Sequence, residues 1–168
     1  MEAFWRELQQ PEYRHVLLNP LPVYGLAIGV LGLLAALYLR SRGGQLTALI
    51  LIFATALSAW PVAYYGDAAY DRVLSMADEP GRAWLEAHVR RADRFLPVFY
   101  ALAALAAAAI FVPKKWPRSA RPLVVATLLL GFAALGAGGY IAYTGGKIRH
   151  REFRNGPPPP KPADSTTR

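Results

Sequence analysis

The chain has 168 residues, 54% of them hydrophobic, no cysteine and a formal charge of +8. Its length suits one domain, and the lack of cysteine excludes disulfides, thiolate metal sites and cysteine nucleophiles. The positive surplus is accounted for by segments flanking apolar runs, so it points to a lipid bilayer as partner and to no nucleic acid.

Residues 1–15 form a polar segment with both signs of charge. Phe4, Trp5 and Leu8 stand among Glu2, Arg6 and Glu7 at helical spacing, which predicts a short helix lying in a membrane interface. The segment does not read as a cleavable leader, because the apolar run behind it is too long for a signal core. Pro11 interrupts the chain before that run, and Asn19-Pro20-Leu21-Pro22 sits near its start, where proline is tolerated in a first helical turn.

Four apolar runs follow: Val16–Tyr38, Leu46–Tyr65, Phe95–Val112 and Leu123–Tyr143. Each is long enough to cross a hydrocarbon core of about 30 Å as a helix, and none contains Asp, Glu, Lys or Arg. A soluble four-helix bundle needs a charged stripe on every helix. A charge at mid-bilayer costs about 2.5–3.5 kcal/mol or more. The predicted fold is therefore an all-α membrane protein, its four-helix transmembrane domain covering residues 16–154. The short links 39–45 and 113–122 make two antiparallel hairpins. A long loop, Gly66–Arg94, joins them, with an amphipathic interfacial helix (Pro80–Phe95) leading into the third span. Residues 155–168, with Pro157–Pro160, carry no apolar pattern and read as a disordered tail.

Small residues supply the packing faces: Gly25 and Gly29 in the first span, Ala103, Ala104 and Ala106–Ala109 in the third, and Gly131, Ala134, Gly138 and Gly139 in the fourth. The same faces would serve a membrane-protein partner or a homo-oligomer. Thr55 and Ser58 are expected to bond between helices. The two short turns carry Arg40, Arg42, Lys114, Lys115, Arg118 and Arg121 and no acid, which favours that end as cytoplasmic and both termini as non-cytoplasmic.

All three histidines fall on the termini end: His15, His88 and His150, with Glu12, Glu86 and Glu152 close by in sequence. Imidazole is the commonest neutral ligand for haem iron and transition metals, and carboxylates partner it. These six residues are the candidate cofactor or metal site. Trp84, His88, Ala92 and Phe95 share one helical face, so His88 needs a partner there. Gly145-Gly146 would let the chain turn back and bring His150 toward the other two. No catalytic residue is assigned: there is no hydrolase triad, phosphate-binding glycine loop or HExxH, and without an intramembrane acid ion-coupled transport is disfavoured.

The segments His15-Val16-Leu17-Leu18-Asn19-Pro20-Leu21-Pro22, Tyr65-Gly66-Asp67-Ala68-Ala69, Glu86-Ala87-His88-Val89-Arg90-Arg91-Ala92-Asp93 and Gly145-Gly146-Lys147-Ile148-Arg149-His150 recur in order around the spans. In this the chain resembles the bacterial four-helix membrane proteins grouped as domain of unknown function 2231, over about residues 13–153. It departs from them at the first histidine, which is followed by Val16 rather than proline. The resemblance implies a multi-pass protein of the bacterial inner membrane and no established activity. The expected role is a non-catalytic membrane subunit or scaffold. The alternative is a redox protein holding haem b or a transition metal through the histidines at its non-cytoplasmic face.

Overall fold

The computed structural model describes residues 1–160; they are overwhelmingly helical and contain no strand. The helices are α1 (Glu2–Leu8), α2 (Pro11–Leu18), α3 (Leu26–Tyr38), α4 (Arg42–Leu57), α5 (Ala59–Met76), α6 (Glu79–Phe111) and α7 (Ala120–Arg149). They line up into four rods, Pro11–Tyr38, Arg42–Met76, Glu79–Lys114 and Pro117–Arg149, each long and apolar enough to cross a membrane.

Proline chemistry shapes the first rod. Pro20 and Pro22 lack the N–H a regular helix would use, and a wide π-helical turn at Leu21–Gly25 takes up the mismatch, both Tyr24 and Gly25 N–H reaching the Pro20 carbonyl at 2.8 and 3.3 Å. The second rod breaks at Ser58, just before Pro61. The α3–α4 turn is tight: Arg40 takes φ of 53° and Ser41 caps α4, its hydroxyl accepting from the Gly44 N–H at 3.1 Å.

α3 packs on α4, α4 on α6, α6 on α7 and α2 on α5. Leu26, Val30, Leu33, Ile52, Phe99, Leu102, Ala106 and Ala134 form the sealed centre. Large apolar side chains also cover the outside of the spans. Leu31 is 65% exposed, Leu129 67% and Phe132 51%. A bundle apolar inside and out matches a hydrocarbon solvent.

Glycines set the helix spacing. A Cβ on Gly29 would lie 2.9 Å from Ile52 Cγ1 and 3.3 Å from the Ile52 backbone nitrogen, and one on Gly131 would lie 2.9 Å from Val30 Cγ2. Gly29→Ala should therefore force α3 off α4 and destabilise the fold by about 1–3 kcal/mol. Gly43→Ala meets nothing within 4 Å and should be neutral or slightly stabilising. Thermal unfolding of the two variants in detergent checks the contrast; equal midpoints would contradict the packing.

Several expectations need correction. Gly66–Arg94 is not a loop: α5 runs on to Met76 and α6 begins at Glu79. Asp78 makes this abrupt reversal workable by capping α6, its carboxylate accepting from the Gly81 N–H at 2.9 Å. The segment read as an amphipathic helix before the third span is the first part of that same unbroken helix. Residues 1–15 are two helices, of which α2 already belongs to the first rod and packs on α5. Thr55 and Ser58 bond their own helix, to the carbonyls of Leu51 (2.8 Å) and Thr55 (2.6 Å), the usual back-bonding of short hydroxyls. Of the segment read as a disordered tail, residues 155–160 follow the last helical turn without regular structure, and 161–168 lie outside the described residues.

Candidate functional site

Two of the three histidines meet. His15 on α2 and His88 on α6 stand with ring centres 6.3 Å apart and ring planes at 89°. Both line a cavity of about 470 Å³ at the termini end of the bundle, walled by α2, α5, α6 and α7, with Val16, Ala63, Leu85, Val89 and Leu96 among its apolar residues and Glu12, Asp67, Asp93 and Arg149 among its charged ones.

Each ring is fixed the same way. His15 Nδ1 lies 2.8 Å from the Val62 carbonyl and His88 Nδ1 lies 3.1 Å from the Ile141 carbonyl. A carbonyl only accepts, so in both rings Nδ1 carries the proton and donates it. The lone pair of the neutral ring is then on Nε2. The residue four positions on is in both cases a glycine. A Cβ on Gly66 would lie 2.9 Å from His15 Nδ1, and one on Gly145 would lie 3.0 Å from His88 Cε1. Each imidazole thus rests in a hollow that any other residue would fill. Thr144 flanks the second hollow, its hydroxyl donating to Ile141 O at 2.7 Å and standing 3.5 Å from His88 Nδ1.

The hollows share a sequence that reading along the chain missed. Val62-Ala63-Tyr64-Tyr65-Gly66 and Ile141-Ala142-Tyr143-Thr144-Gly145 are one pattern, and the partner segments pair His15-Val16 before Leu21-Pro22-Val23 with His88-Val89 before Leu96-Pro97-Val98. The two halves of the chain repeat each other: a histidine ahead of an odd-numbered span docks on the glycine at the end of the following one. Aligning the chain with itself would have found Gly66 and Gly145.

His150 does not join them. The chain does not turn at these glycines: α7 continues to Arg149 alongside the start of α6, Gly145 lying against His88 and a Cβ on Gly146 meeting Phe153 at 3.5 Å. His150 lies exposed beyond the helix end, Nδ1 3.0 Å from Glu152 Oε1 and its ring stacked 4.9 Å from Phe153. The Glu152 carboxyl is pushed below its ordinary range by its own backbone amide and then by His150. The other carboxylates are also engaged: Glu12 with Arg72 at 2.7 Å and Glu86 with Arg90 at 3.7 Å. Among the described residues no three His, Asp or Glu come close enough together to hold a metal ion. The six-residue site therefore reduces to an imidazole pair. His88→Ala should lower the thermal midpoint in detergent by several degrees, since it empties a packed position; His150→Ala should change it little, and equal shifts would argue against this placement.

A clasp holds the neighbouring helix ends. Asp78 Oδ2 accepts from Arg154 at 2.8 Å and pairs with Arg151 at 3.1 Å, while Arg154 also donates to the carbonyls of Lys147 and Ile148, both at 2.7 Å. The Arg154 hydrogen bond is the main reason the Asp78 carboxyl is held down to about 2 from an ordinary 3.8. A depressed carboxyl stabilises the fold above its unfolded value and loses that contribution as pH falls through the folded one. Asp78→Asn should thus lower the thermal midpoint at pH 6, and the gap from the parent should close as the pH falls from about 4 toward 2. A gap that persists at pH 2 would rule out the ion pairs as its source.

Comparison of the chain with family models, curated proteins and solved structures gives no match.

Proposed function

We propose that the protein is a membrane-bound b-type cytochrome in which His15 and His88 would hold one haem. The observation that carries the reading is the duplicated hydrogen bond from Nδ1 to a helix carbonyl, the arrangement by which ligating histidines are oriented and made more basic at Nε2. Spacing supports it. With metal–nitrogen bonds of about 2.0–2.1 Å, two imidazoles on opposite sides of one ion have ring centres about 6.4 Å apart, against 6.3 Å here. The donor set favours haem over a bare ion, because a protein-bound ion takes three or four protein ligands, whereas a porphyrin leaves only the axial positions to be filled. The adjoining cavity of about 470 Å³ offers apolar walls at Val16, Ala63, Leu85, Val89 and Leu96 beside charged ones at Glu12, Asp67, Asp93 and Arg149. A haem held by His15 and His88 would supply one-electron redox chemistry.

We further infer two antiparallel hairpins in a bacterial inner membrane, within the group named domain of unknown function 2231. The six basic residues of the turn end favour that end as cytoplasmic and the histidines as non-cytoplasmic. The competing reading, a non-catalytic subunit or scaffold, draws support from Gly136 and Gly139, beside which a Cβ would meet nothing; they would admit a partner helix or a second copy.

Absorption spectra of the detergent-purified protein, oxidised and reduced, with metal analysis, decide between them. A Soret band that shifts on reduction, with about one iron per chain, is the expected result. Neither band nor metal after expression with ample haem and iron would overturn the cytochrome reading and leave the scaffold.

A further inference from the structure

The opposite end of the bundle has a groove of its own. It lies between the α3–α4 turn and the α6–α7 connection, has a volume of about 610 Å³, and sets Arg42, Arg118 and Arg121 around apolar Leu37, Val124 and Val125. Arg118 and Arg121 have no hydrogen-bond or ion-pair partner among the described residues, and Arg42 reaches Gln45 at 3.4 Å. No carboxylate occurs between Glu12 and Asp67 or between Asp93 and Glu152, so the segments that build this end hold none to neutralise them. Phe111 and Trp116, 61% and 58% exposed with Lys114 and Lys115 ammonium groups 5.0 and 5.1 Å from their rings, place the groove at headgroup level.

We propose that this groove seats the phosphate of an anionic phospholipid, the guanidinium groups of Arg42, Arg118 and Arg121 taking its oxygens and an acyl chain lying along Leu37 and Val125. Guanidinium is the side chain whose planar fork matches phosphate, and basic pockets between membrane helices on the cytoplasmic side are where such headgroups bind. Free phosphate shares that chemistry but would leave the apolar wall uncovered. Val125, 46% exposed, offers surface that a lipid tail would cover and a free phosphate would not.

The test titrates the full chain in neutral detergent micelles with dioleoylphosphatidylglycerol, dioleoylphosphatidylcholine or inorganic phosphate and follows the thermal midpoint. Phosphatidylglycerol should raise it saturably, and the other two should not. Arg118→Gln and Arg121→Gln should each weaken the lipid response about fivefold, and the pair about twenty-five-fold. Lys114→Gln with Lys115→Gln, outside the groove, should leave it within about twofold. Arg121→Lys keeps the charge and loses the fork, so it should still weaken binding and keeps the test usable if the double variant does not fold. An equal response to phosphatidylcholine, an equal response to inorganic phosphate, a lysine pair as damaging as the arginine pair, or an Arg121→Lys variant that binds like the parent would each overturn the assignment.

Discussion

His15→Ala and His88→Ala should each abolish the six-coordinate haem spectrum and lower haem retained through purification by at least about tenfold, while His150→Ala should leave both unchanged. The asymmetry follows from position. The first two rings stand with centres 6.3 Å apart and Nδ1 tied to a carbonyl, whereas His150 stands exposed against Glu152. Either single variant would leave one of the two imidazoles in place, so on the proposed reading added imidazole should restore the spectrum. Retention of the parental spectrum in His15→Ala would remove that residue from the site, and a loss in His150→Ala would reinstate the three-histidine arrangement.

Gly66→Ala and Gly145→Ala should weaken haem retention about 10–100-fold, as loss of an orienting contact to a ligand does, though neither position can touch the iron. The added Cβ would come within 2.9–3.0 Å of the imidazole, closer than carbon and ring atoms pack. The ring must then tilt, and the bond from Nδ1 to Val62 or Ile141 is lost with it. Gly139→Ala on the same helix as Gly145 meets nothing and should bind as the parent does. Because alanine favours a helix over glycine by up to about 1 kcal/mol, a variant that folds at least as stably yet binds poorly separates site from scaffold. Haem content measured beside the thermal midpoint makes that separation, and unchanged content in both variants would show that the hollows do not position the ligands.

Much of the architecture is legible along the chain because lipid imposes a simple rule: four uncharged runs, each long enough to span. Within the termini end the rule fails. From Gly66 charges return, and the composition of a solvated helix resembles that of a loop, which hid the extension of α5 to Met76; the helix from Pro80 onward was legible from its apolar face, with Asp78 as its cap. His88 was recognisable from the spacing of Trp84, His88, Ala92 and Phe95 on one face. Its association with His15 was expected, but that these two meet without His150 was not legible, since it depends on how α2 lies against α5 and where α7 ends. Gly145-Gly146 misled, because glycine serves equally to turn a chain and to admit a close neighbour, and only tertiary contact distinguishes the two uses.

From His88 to Phe111 helix α6 climbs about 35 Å at 1.5 Å per residue, more than the hydrocarbon thickness of about 30 Å. With Phe111 at one boundary of a bilayer, the imidazole pair would lie at the other, with the full insulating layer between them. Electron transfer falls off steeply with distance, so a centre held there trades with carriers in one compartment only. On the proposed cytochrome reading the protein would be a one-sided terminal of redox traffic, and a wire across the membrane would need a second centre near the turn end.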